Sequence, residues 1–183
     1  LKSAEQAIRH GLAYVTEDRK TNGLILGESI RFNTTLARLD KVCGNGVIDT
    51  TAEQKVAEDM TEAMGTKTPS IEQKVGNLSG GNQQKALLGK WMFTEPEVLI
   101  LDEPTRGIDV GAKSEIYKLI AKMAEDEGKA VIIISSEMPE VMGISNRVIT
   151  IAAGRLTGEL VGDEVTEESL MKGILITDST QKV

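Results

Sequence analysis

A chain of 183 residues with 21 Lys and Arg against 28 Asp and Glu carries a formal charge of −7. That balance argues against a nucleic-acid surface, where phosphates need clustered basic side chains. The length suffices for one sizeable core, or one core with a lobe, and no apolar run is long enough to span a membrane, so any membrane role is expected to be peripheral.

In chain order, Ser3 with Gln6 three residues on predicts a capping box and a short helix, with Ala4, Ala7 and Ile8 on one face and Gly11 as its stop. The sole histidine, His10, falls at that helix end, where a cation favours the dipole and a structural role is expected. A strand over 12–15 then leads into a charged loop, 16–20, followed by Gly23 and Gly27. Ile30, Asn33, Leu36 and Ala37 recur at helical spacing within 29–39, and 41–49 reads as a glycine-interrupted connection holding Cys43. A lone cysteine makes no internal disulfide; with no export leader in view, it fits a reducing cytoplasm. Thr50 and Glu53 predict a second capping box, and Val56, Met60 and Met64 share one face before Gly65 ends the helix. A methionine stripe of this kind reads as core. A loop over 66–76 with Pro69 follows.

The stretch 78–109 organises the rest. A glycine turn, Leu78-Ser79-Gly80-Gly81, opens into a helix of good formers over 83–93. Such a turn leaves backbone N–H groups unpaired at the positive end of the helix dipole, which makes an anion site. Ser79 adds a hydroxyl, while Gly80 and Gly81 have no side chain to block a phosphate. By itself the tetrad also reads as a plain serine-capped helix. Next, Val98-Leu99-Ile100-Leu101 predicts a parallel strand covered on both faces, and it delivers Asp102 and Glu103 before Pro104 stops it. Carboxylates at that end of an open α/β sheet point into its ligand crevice. Asp109 precedes a helix over 110–124 whose Ile116, Leu119, Ile120 and Met123 face the core, and it is placed to cap that helix.

A second buried strand is expected over 130–135, ending in Ser135-Ser136-Glu137. Residues 147–151 and 156–161 read as antiparallel strands turned by Gly154. Thr166, with Glu167 and Glu168, starts a last helix ending near 176, and 178–183 reads as a frayed tail.

The sequence resembles the ATP-binding cassette (ABC) ATPases. LSGGNQQK is similar to that family's signature motif, and VLILDEPTRGID to its Walker B strand, following glutamate and D-loop. The variants NQQK, DEPTRGID and ISSEMPEV resemble the second nucleotide-binding domain of bacterial simple-sugar importers of the ribose or galactose type. The likeness runs from Ala7 to about Leu170. It implies an α/β fold, a P-loop NTPase-like core of mainly parallel sheet with an inserted helical signature subdomain. The expected division is 1–28 as a first core piece, 29–88 as the helical subdomain, and 89–183 as the second core piece. No GxxxxGK[ST] occurs in the chain, so the resemblance implies a piece that starts inside its domain, downstream of the first strand and phosphate loop.

In the family the signature turn reaches the terminal phosphate of ATP held by the opposite domain, which assigns Ser79, Gly80, Gly81 and Asn82 to ATP across an interface. The resemblance gives Asp102 to magnesium, usually through water, and Glu103 to the attacking water as general base. Asp109 becomes the D-loop acid. Glu17 aligns with the glutamine that touches magnesium and the transmembrane partner, although a solvated charged loop fits the same residues. Ser136 stands where most members have a histidine, so this half's own site is expected to be catalytically weak. Partners implied are the other nucleotide-binding half, the permease subunits and, indirectly, a sugar-binding protein, with the ATPase on the inner face of the cell membrane. A non-transport ABC ATPase and a regulatory half without turnover are the competing readings.

Overall fold

The computed structural model describes residues 1–175, and the predicted tail at 178–183 lies outside them. The chain forms two compact units, Leu1–Ile134 and Ser135–Val183.

The first unit begins with helix α1 (Ala4–Arg9), where Ser3 Oγ accepts the Gln6 N–H as expected. The Gln6 side chain caps the Lys2 N–H instead of that of Ser3, so only half of the predicted box forms. Strand β1 (Leu12–Val15) gives way to a wide turn, Arg19–Gly23, held by Asp18, whose Oδ1 accepts the N–H groups of Lys20 and Thr21.

Helix α2 is shorter than its periodicity predicts. It spans Ile30–Thr35 and passes into a tighter 3-10 segment, Leu36–Val42, broken at Arg38 with φ −147° and ψ 54°. Asn33 is fully buried because its side chain closes both backbone groups of Ile25. The 43–48 connection folds as a small hairpin of β2 (Cys43–Gly44) and β3 (Val47–Ile48).

Helix α3 (Thr50–Ala63) is capped by Asp49, whose Oδ1 accepts the Thr51 and Ala52 N–H groups, and not by the predicted Thr50. Glu53 has a different task. It is buried beneath α2, paired with Arg31 and accepting from Thr35 Oγ1. On the predicted stripe Met64 is buried while Val56 and Met60 are half-buried.

Helix α4 (Gly80–Met92) begins directly after Ser79 and runs into β4 (Val98–Asp102). Helix α5 (Val110–Glu125) then crosses to β5 (Ala130–Ile134). The three strands form a parallel sheet in the order β1-β4-β5, with Leu12 opposite Val98 and Leu101 opposite Ile133. Ala13, Val15, Leu99 and Leu101 meet Leu87 and Leu88 of α4 and Ile116, Ile120 and Met123 of α5 in one core.

The expectation that β4 and β5 are covered on both faces is corrected. Burial alternates along both strands, and Ile132 and Ile134 are 51% and 49% exposed. Helices α4 and α5 cover a single face, and among the described residues β5 is an edge strand.

In the second unit, α6 (Met138–Ile144) precedes the hairpin of β6 (Arg147–Ala152) and β7 (Arg155–Val161). Ala153 and Gly154, both at positive φ, make its two-residue turn, the twist that antiparallel strands favour. Helix α7 (Glu167–Leu175) is capped by Thr166, whose Oγ1 accepts the Ser169 N–H. It lies on β6 so closely that a Cβ at Gly173 would stand 2.5 Å from Thr150 Oγ1.

Candidate functional site

The glycine turn is organised by the serine that precedes it. Ser79 Oγ accepts the Asn82 N–H at 3.4 Å and the Asn82 side-chain amide at 3.1 Å, while Asn82 Oδ1 accepts the Lys67 N–H at 2.9 Å. Asn82 therefore braces the turn against the loop before it. The first amides of a helix have no carbonyl of their own to meet. Ser79 is exposed, Gly80 half-buried and Gly81 buried, and the Asn82 and Gln83 N–H groups are both taken by Ser79.

Each glycine has a close neighbour. A Cβ at Gly81 would stand 2.6 Å from that of Ala112, so α4 and the start of α5 pack at this point only because position 81 has no side chain. At Gly80 a Cβ would come within 3.0 Å of Arg19 Nη2 and 3.5 Å of the Gly107 carbonyl.

The 103–109 loop lies alongside. Asp109 is exposed and caps α5 through Oδ1, which accepts the Ala112 N–H at 3.0 Å. Glu103 adopts φ +46°, a left-handed conformation that costs a non-glycine residue about 1–2 kcal/mol, and its N–H donates to the Ile134 carbonyl at 2.8 Å. Backbone held in this region tends to occur where chemistry is done. Thr105, almost fully buried, lies 3.5 Å from the Tyr117 hydroxyl.

Asp102 ends β4 half-buried, and Oδ2 accepts the Tyr14 hydroxyl from β1 at 2.6 Å. That hydrogen bond and the nearby negative charge raise the Tyr14 pKa above its ordinary value. No group of three or more His, Cys, Asp or Glu able to hold a metal occurs among the described residues. A single carboxylate at the strand end suits magnesium, which keeps most of its waters and takes one or two protein carboxylates.

Glu17 is exposed and ion-paired with Arg106. Ser79, Gly80, Gly81, Asn82, Asp102, Glu103, Asp109 and Glu17 all belong to the first unit. Ser136 is exposed in the second, where neighbouring Ser135 Oγ accepts the Glu137 N–H.

Sequence reasoning missed Arg19, Arg106 and Tyr14. Arg19 Nη1 donates to the Arg106 carbonyl across 87 positions of chain, and Tyr14 meets Asp102 across 88. Only the parallel pairing of β1 with β4 would have revealed that Tyr14 and Asp102 lie on one side of adjacent strands.

The profile of the ABC transporter family matches residues 2–106. The chain is 53% identical over 172 residues to the L-arabinose transport ATP-binding protein AraG of Geobacillus stearothermophilus, covering 94% of this chain and 33% of that protein. It is 48% identical to the ribose import ATP-binding protein RbsA of Clostridium tetani, over 94% of this chain and 34% of that one. The chain thus spans about a third of the length of the curated relatives it matches. Among solved structures, a dimeric ATP-binding cassette in a post-hydrolysis state bound to ADP and Pi superposes with TM-score 0.73 at 21% identity, over 88% of this chain and 68% of that chain. That likeness bears out the predicted α/β cassette fold with its parallel sheet and helical subdomain.

Proposed function

The chain belongs to the ABC transporter family, and from that premise we propose that it is part of the ATP-binding component of a sugar importer, offering its signature turn to ATP held by a second nucleotide-binding half. The carrying observation is the exposed, serine-capped start of α4. Its amides and positive dipole end suit a phosphate. Relatives at about 50% identity whose names specify arabinose, xylose and ribose favour a monosaccharide as cargo.

In this reading the chain is the carboxyl-terminal half. Asp102, its carboxylate fixed by Tyr14, would hold magnesium, which would supply charge neutralisation at the phosphates. Glu103 orients the attacking water and takes its proton. Asp109 lies at the interface between halves, and Glu17 meets the permease. The phosphate loop comes from polypeptide outside these 183 residues. The edge that β5 leaves open among the described residues suits a further parallel strand carrying it. Residues 1–28 and 89–183 belong to the ATPase core and 29–88 to the helical subdomain. Ser136 lacks an imidazole and makes this half's own site the weaker of two. The complete protein binds to permease subunits on the cytoplasmic side of the membrane and receives sugar through a binding protein. No helix among the described residues is long and apolar enough to cross a membrane.

The test is Ser79→Arg in the full-length transporter. A side chain filling the anion site should lower sugar uptake and ATP turnover by about a hundredfold or more, the scale of losing a donor aimed at developing charge. Wild-type uptake in that variant would exclude the cross-interface role.

A further inference from the structure

Three segments distant in sequence converge on one guanidinium. Arg19 is half-buried in the wide turn after β1; its Nη1 donates to the Arg106 carbonyl at 2.9 Å, and its Nη2 lies where any side chain at position 80 would have to go. The fit is reciprocal. Arg106 reaches back to pair with Glu17, so each of the two loops anchors the other with an arginine. Arg19 Nε is buried with no hydrogen-bond partner among the described residues, and burial lowers the Arg19 pKa, opposed by the Asp18 charge. A surface arginine free to choose its rotamer would keep that nitrogen in water. The side chain is held here by packing against Gly80 and by the Arg106 carbonyl.

We infer that Arg19 is a positioning residue for the signature turn: its guanidinium, packed on Gly80 and bonded to the Arg106 carbonyl, ties the 79–82 turn, the 103–109 loop and the 16–23 loop into one moving piece. A methyl group at position 80 would stand 3.0 Å from Nη2, so the guanidinium would have to give by a few tenths of an ångström. The fixed cation behind the helix start also adds to the positive potential that the α4 amides present outward. A planar fork does both at once, and a lysine does not, because its single nitrogen cannot both lie beside Gly80 and bond the Arg106 carbonyl. A push on the 16–23 loop would reach the phosphate-facing turn through this side chain.

The inference rests on the reading of the signature turn as an ATP site, and the experiment separates the two. Steady-state ATP turnover of the full-length transporter with its permease is measured for Arg19→Lys and Arg19→Gln, with Ser79→Arg as reference and thermal midpoints recorded for each. Arg19→Gln should raise the KM for ATP about tenfold, the scale of a lost charge-assisted contact. Arg19→Lys, which restores charge without the fork, should raise it about threefold, with its midpoint well above the assay temperature. Should Arg19→Gln fail to fold, Arg19→Lys alone decides. Wild-type KM in the Arg19 variants beside an inactive Ser79→Arg would overturn the positioning role and leave the site standing. So would KM values that change only in variants already unfolding at the assay temperature. Full activity in Ser79→Arg would remove the site itself.

Discussion

The two faces of the first unit's sheet differ sharply. On one, Leu99 and Leu101 are completely buried under α4 and α5; on the other, Tyr14 is 44% exposed and Ile132 and Ile134 of β5 stand about half in solvent. Exposed polar groups are ordinary, but a run of exposed apolar side chains beside an unpaired strand edge signals a surface made to be covered. The signature turn belongs to the finished side. It is braced by Asn82, Arg19, Gly107 and Ala112, all within this chain. Asp102 and Glu103 lie at the end of β4, whose outer face is only half-buried. The contrast supports a chain that completes one half of a nucleotide site and leaves the other half to be built from elsewhere.

The largest effect should come from the buried face. Leu99→Ala should destabilise the chain by about 2–5 kcal/mol in urea unfolding, the range for truncating a core leucine. Ile132→Ala should change stability by about 0.5 kcal/mol or less in the 183-residue chain, as surface changes do. In the longer protein the same substitution should cost several times more, because the outer face is then covered. Equal costs in both contexts would mean that this face stays bare.

Next is the contact of α4 with α5. Gly81→Ala places a methyl carbon 2.6 Å from that of Ala112, and relieving that overlap should cost about 1–3 kcal/mol. Removing the cap with Ser79→Ala should cost about 0.5–2 kcal/mol, read from the same unfolding curves. These two substitutions sort the turn's structural demands from its proposed chemistry.

The smallest effect concerns pH. Lys85 of α4 is buried and pairs with Glu115 of α5 while donating to the Gly65 carbonyl. That hydrogen bond to Lys85 lowers the Glu115 pKa below its ordinary 4.5. A depressed carboxylate contributes stability that is fully present above the unfolded-state value and is lost as pH falls through the folded one. The acid limb of wild-type unfolding should therefore steepen below about pH 4.5, and Glu115→Gln should lower stability at neutral pH and flatten that limb. An unchanged limb would show that the pair does not couple the two helices.

Much of this was legible in the sequence because it is local. The turn at 78–81, the strand ending in Asp102 and Glu103, the cap at Asp109 and the β6-β7 hairpin each follow from residues within a few positions of one another. What was missed depends on partners far along the chain. Glu53 reads as a capping-box acid until Arg31 and Thr35 draw it into the interior, leaving Asp49 to cap α3. The apolar run of β5 reads as doubly covered because hydrophobicity records what a strand will bury in its finished surroundings. Glu103 at positive φ follows no propensity at all, and Arg19 looks like one charge among several in a polar loop.

The central claim, that the start of α4 faces a phosphate held by another half, is tested most directly by amide hydrogen exchange at residues 80 and 81 in the longer protein. On adding a non-hydrolysable ATP analogue with magnesium, exchange there should slow by about tenfold or more, as these amides become bonded to phosphate oxygens. Unchanged exchange at residues 80 and 81 at saturating analogue would contradict the account.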